Sequence, residues 1–122
     1  MRKINVLSSP MLGTGTDMKL CISAEDPELE SLVAEEFGHA DYFIIYDSET
    51  KEWNAYPNEA TISAEGSGMM AAEQVVKLAP EVVLTGFVGP HGKKILEDAG
   101  IKLVFDEDGT VRSSIDRWLK KQ

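Results

Sequence analysis

Glu81-Val82-Val83-Leu84-Thr85-Gly86, followed by Phe87-Val88-Gly89-Pro90, decides how this chain is read. Three consecutive apolar residues between Pro80 and Gly86 predict a short strand covered on both faces, because a strand with one wet face would alternate. Gly89-Pro90 then opens a helix, since proline fits the first helical position, where its missing N–H would be unpaired anyway. Ile95, Leu96 and Ala99 share one face of that helix and Gly100 stops it. Ile101 to Phe105 reads as the next strand. A strand, helix, strand succession implies a right-handed crossover and a parallel pair. Asp106-Glu107-Asp108-Gly109 turns the chain, and Thr110 caps a last helix. Val111, Ile115, Trp118 and Leu119 form its apolar stripe, with Lys120-Lys121 favourably placed at its negative end.

Towards the N-terminus, Glu65-Gly66-Ser67-Gly68 is a glycine-rich loop entering an amphipathic helix that carries Met69, Met70, Ala72, Val76 and Leu78 and ends near Pro80. Tyr42 to Tyr46 and Trp53 to Tyr56, joined by the polar turn Asp47-Ser48-Glu49-Thr50, predict an antiparallel hairpin. Lys19 to Ser23 predicts a buried first strand. Between it and the hairpin, Asp26 is placed to cap a helix with Pro27 at its first position. Leu29, Leu32, Val33 and Phe37 recur at helical spacing, and Gly38 ends the segment. The expected order is β-α-β-β-α-β-α-β-α: a mixed sheet with an antiparallel edge hairpin and flanking helices. Residues 1–17 stand apart. Lys3 to Leu7 would suit an added edge strand, but the Ser, Gly and Thr that follow read as a flexible leader or upstream extension, leaving 18–122 as a single domain.

Composition narrows the function. The chain has 122 residues, with 12 Lys+Arg against 21 Asp+Glu, a net charge of −9. Nucleic acid requires a basic face, so general DNA or RNA binding is excluded as an expectation. No apolar run approaches the roughly 20 residues of a membrane-spanning helix, and no secretory signal is evident. The single Cys21 cannot form an internal disulfide, which favours a reducing, cytoplasmic setting, and with two histidines it cannot build a closed zinc site.

Met18-Lys19-Leu20-Cys21-Ile22-Ser23, Glu36-Phe37-Gly38-His39-Ala40-Asp41-Tyr42-Phe43, Gly66-Ser67-Gly68-Met69-Met70-Ala71-Ala72, Val88-Gly89-Pro90, Ala99-Gly100-Ile101-Lys102-Leu103 and Gly109-Thr110-Val111, in this order, resemble the dinitrogenase iron–molybdenum cofactor family. The resemblance spans about residues 18–120. Each motif alone is weak, and the ordered set is specific. It implies a ribonuclease-H-like fold with a five-stranded mixed sheet in three layers. It also implies a nitrogenase-accessory type of role, carrying the cofactor or its precursor. The family often has histidine immediately before the Phe-Gly pair. Here that position is Glu36, and a histidine follows the glycine instead, at His39.

The residues themselves give the chemistry a shape. Thiolate and imidazole suit iron–sulfur clusters, which makes Cys21 and His39 the candidate metal ligands. A tightly owned cluster takes four cysteines, so a chain with one is expected to hold a preassembled iron–sulfur or iron–molybdenum type cluster only transiently. The bland reading of Cys21 is a small buried hydrophobe. Helix N-termini aim unpaired N–H groups at anions, so Gly66, Ser67 and Gly68 at one helix entry and Gly89 and His91 at another, with His39, form the expected ligand cleft at the strand ends. Those glycines would otherwise serve only as turns. The third glycine of a dinucleotide fingerprint and the ending of a P-loop are both missing. The central strands carry no acidic residue for metal-dependent nuclease work, and no nucleophile and base are suitably spaced, so no enzyme activity is expected. Cluster-assembly or acceptor proteins are the expected partners of a monomer or weak homodimer. The alternative is a ligand-free interaction or regulatory module using the aromatic hairpin residues Tyr42, Tyr46, Trp53 and Tyr56.

Overall fold

The computed structural model describes residues 18–60 and 67–122. The leader expected over 1–17 lies outside these residues. The sheet contains β1 (Lys19–Ala24), β2 (Tyr42–Asp47), β3 (Trp53–Pro57), β4 (Val82–Leu84) and β5 (Lys102–Val104), in the spatial order β3-β2-β1-β4-β5. The pairs β1–β2 and β2–β3 are antiparallel, whereas β1–β4 and β4–β5 are parallel. Three helices follow the hairpin: α1 (Ser67–Leu78), α2 (Pro90–Asp98) and α3 (Val111–Lys120).

The period-2 direction of strand side chains sorts the core into two. Cys21, Phe43, Ile45 and Val83 face Ala71, Ala72, Val75 and Leu96 of α1 and α2. Leu20, Ile22, Ile44, Val82 and Leu84 face Val111 and Ile115 of α3. The contiguous Val82-Val83-Leu84 is buried because both faces of β4 are covered. Thr110 caps α3 as expected, its hydroxyl accepting from the Ser113 N–H while the Ser113 hydroxyl accepts from the Thr110 N–H.

The helix expected over 26–38 does not form. Only Phe37–His39 makes a short 3-10 turn. The apolar stripe has two destinations. Leu29 and Val33 join the α3-side core, whereas Phe37 joins the α1/α2-side core and stacks 4.9 Å from Phe43. A straight helix cannot serve cores on opposite faces of one sheet, and the segment instead crosses over the sheet's end. Its backbone bonds go to neighbours: Ala34 N–H donates to Ser23 O, Val33 N–H to Gly109 O and Phe37 N–H to Phe87 O. Asp26 caps nothing here; its own N–H donates to the Ser31 hydroxyl at 2.8 Å.

Candidate anion-binding cleft

The crossing segment and the loop leaving β4 are pressed together. Glu36 bridges Phe87 in parallel pairing, and a methyl group on Gly86 would fall 2.3 Å from the Glu35 carbonyl oxygen. Only glycine permits this approach. Beneath it, the Ser23 and Thr85 hydroxyls share a buried 2.7 Å hydrogen bond, and Ser23 also donates to Ala34 O. The ends of β1 and β4 and the crossing strand are thereby fixed to one another.

This fixed corner borders a cleft of about 200 Å³ lined by Glu36, Phe37, Gly38, His39, Gly68, Phe87 and Gly89. The two helix entries singled out by sequence therefore meet. Gly68 belongs to the first turn of α1 and Gly89 is the N-cap of α2. Their closeness depends on Gly92, where a Cβ would come within 3.0 Å of the Gly68 carbonyl oxygen. Among the described residues, neither Gly68 nor Gly89 has a neighbour within 4 Å of an added Cβ, so these two glycines leave open space rather than relieve a clash. α2 begins with proline, and the N–H groups of each helix's first turn lack intrahelical partners. Positive dipole ends from two helices thus lie at one opening.

His39 stands at the rim, its Nε2 3.7 Å from Oε1 of Glu36, with both side chains mainly in solvent. The histidine displaced by three positions still reaches the same cleft, one turn further on. Glu36 is the only carboxylate among the described lining residues, and it opposes part of the helix-end charge.

The other expected site residues lie elsewhere. His91 is exposed on the first turn of α2 and is absent from the lining. Gly66 lies outside the described residues, and Ser67 is the first residue of α1. Cys21 is enclosed in the α1/α2-side core, and burial pushes its thiol far above the usual range. A buried thiol held protonated is not the thiolate a metal takes. Among the described residues no three His, Cys, Asp or Glu side chains converge on a metal position. Phe87, in the loop between β4 and α2, is 58% exposed and forms a wall of the cleft. In the hairpin, Tyr42, Tyr46 and Tyr56 are half-buried against the cores, leaving Trp53 as its exposed aromatic.

No helix among the described residues is long and apolar enough to cross a membrane. No curated protein matches the sequence. Solved structures do. The apo form of the orange protein from Desulfovibrio gigas is 34% identical with a TM-score of 0.83, the match covering 87% of this chain and 90% of that one. The NMR structure of a Thermotoga protein, described as a candidate NifB protein, is 32% identical with a TM-score of 0.74, covering 84% and 88% respectively. The family model for dinitrogenase iron-molybdenum cofactor proteins matches residues 18–121. The chain belongs to the dinitrogenase iron-molybdenum cofactor family.

Proposed function

We propose that this chain is a small cytoplasmic binding protein, not an enzyme. It holds a metal cluster of iron–sulfur or iron–molybdenum type, or another small anionic ligand, reversibly in the cleft between α1 and α2. The supporting observation is the convergence of two helix entries and His39 on that one opening. Backbone N–H groups bind an anion without a charged side chain, and one imidazole supplies a single soft ligand. With Cys21 enclosed, His39 is the ligand in this reading. One ligand plus N–H groups makes for weak holding, as cargo that must be passed on requires. The excess of carboxylates over the molecule weakens anion binding further and favours release. The family membership and the likeness to a protein described as an apo form, a term that presupposes a bound one, agree with a cargo role. The strand order with helices on both faces supports the ribonuclease-H-like reading. The carrier acts as a monomer or weak homodimer and exchanges cargo with cluster-assembly or acceptor proteins.

The test is an anaerobic titration of the full chain with a soluble iron–sulfide cluster, followed by visible absorption, alongside Gly68→Ala and Gly89→Ala. Both methyl groups enter open space, so the variants fold, and Gly68→Ala gains helix stability of roughly 0.5–1 kcal/mol. Saturable absorption changes that weaken in both variants are expected. No change with the parent chain, or equal binding by the variants, contradicts the proposal.

A further inference from the structure

A second cleft, of about 540 Å³, shares Phe87 with the first. It opens beyond the carboxyl ends of β1, β4 and β5, and its lining includes Glu25, Leu32, Glu35, Phe87, Asp106 and Asp108. Two features make this wall unusual. Leu32 and Phe87 are 54% and 58% exposed, although both sit on well-anchored backbone: Leu32 bridges Thr110, and the Phe87 carbonyl accepts from Phe37. Glu25, Glu35 and Asp106 are exposed carboxylates that pair with no cation among the described residues. Neighbouring Glu107 differs, since it accepts from the Ser114 hydroxyl and from Arg117, which also lies 3.9 Å from Asp108. The first group of carboxylates therefore faces solvent beside apolar side chains, with no counter-charge among the described residues.

The occupant follows from complementarity. Nucleic acid and acidic surfaces are repelled by these carboxylates. A metal ion is a poor fit, because no three ligating side chains converge among the described residues. A bare polyamine satisfies the charge and leaves Leu32 and Phe87 wet. A polypeptide in which Lys or Arg alternates with apolar residues satisfies both, burying the apolar pair while its cations meet carboxylates desolvated on one side. We propose that this groove docks a basic segment of a partner protein whose cationic residues are interleaved with apolar ones. Phe87 would then separate the docked segment from the smaller cleft. This inference concerns a different surface and does not rest on the cargo reading.

The full chain is titrated with a short peptide alternating leucine and lysine, and separately with spermine, at about 150 mM salt, where long-range attraction is screened. Backbone amide shifts and affinity are followed. Three variants separate local docking from the general field of an acidic molecule. The triple change Glu25→Gln, Glu35→Gln, Asp106→Asn removes groove charge. The triple change Glu73→Gln, Glu97→Gln, Asp116→Asn removes as much charge elsewhere. Leu32→Ser removes an apolar contact alone. The expected result is peptide-induced shifts confined to residues 24–35, 86–87 and 106–109. The groove triple should lose about tenfold in affinity and the control triple less than about twofold, with several-fold loss in Leu32→Ser and spermine weaker than the peptide. Equal loss in the two triple variants, full binding by Leu32→Ser, spermine as tight as the peptide, or no binding overturns the proposal. Failure here leaves the smaller cleft's binding of a cluster unaffected, so the two readings fall separately.

Discussion

Cys21 carries the one thiol of the chain, and the fold uses it as a core residue. It faces Val83, Phe43 and the α1/α2 side with no solvent exposure. Burial suppresses its ionisation by excluding the thiolate from water. The native chain is therefore expected to resist alkylation by iodoacetamide, with modification appearing only as denaturant unfolds it; rapid labelling of the folded chain would contradict the enclosed position. The same shift has a consequence for stability. An unfolded thiol releases its proton near pH 8.5 while the folded one keeps it. Above that pH the unfolded state binds fewer protons, so stability falls as pH rises, by about 1.4 kcal/mol per pH unit from this group alone. Cys21→Ala is expected to flatten the alkaline limb of the stability profile, measured by denaturant unfolding at pH 8 to 10 against the parent chain. Unchanged slopes would contradict it.

At the scale of elements, two backbone positions carry sharp predictions. Gly86→Ala drives a methyl group into the Glu35 carbonyl, so β4 and the crossing segment must separate. A loss of roughly 1–3 kcal/mol is expected in urea unfolding, the range typical of overpacking. Ala79, just past α1, has φ of 59°, a left-handed conformation that suits glycine. Its N–H donates to Val75 O and Val76 O, which holds it there. Ala79→Gly is expected to gain about 0.5–1 kcal/mol, since relief of strain outweighs the greater freedom of the unfolded glycine; a lowered melting temperature would contradict this. These positions also show what was legible in the sequence. The strands and the three later helices were readable because each carries its own local signals, such as Pro90 at a helix start or the Thr110 cap. The helix expected over 26–38 does not form because Leu29, Val33 and Phe37 match helical spacing while feeding two cores, a fact of tertiary structure. The cleft was half legible. Gly68, Gly89 and His39 line one cleft, but Phe87 carries no sequence signal that marks it as a wall. The acidic groove has no contiguous sequence signal, because its parts come from the ends of β1, β4 and β5 and from the crossing segment, and Asp106 to Gly109 reads as an ordinary turn.

For the whole molecule, charge and shape work in opposite directions. A net charge of −9 repels anions at long range, while the carboxyl end of the parallel strands gathers two helix entries into one small cleft. In the proposed reading, that balance favours brief, weak holding over storage. The larger, carboxylate-lined groove next to it attracts the opposite charge, so one edge of the sheet presents two surfaces of opposite preference divided by Phe87. In the proposed reading, the α1 and α2 entries, with His39, form a single anion-binding cleft. Its most direct measurement is an amide-shift titration of the full chain with molybdate. Saturable shifts concentrated at Gly68, Met69 and Gly89, at the two helix entries, and at His39 on the rim are predicted. Shifts absent from these residues, or spread evenly over the exposed surface, would contradict it.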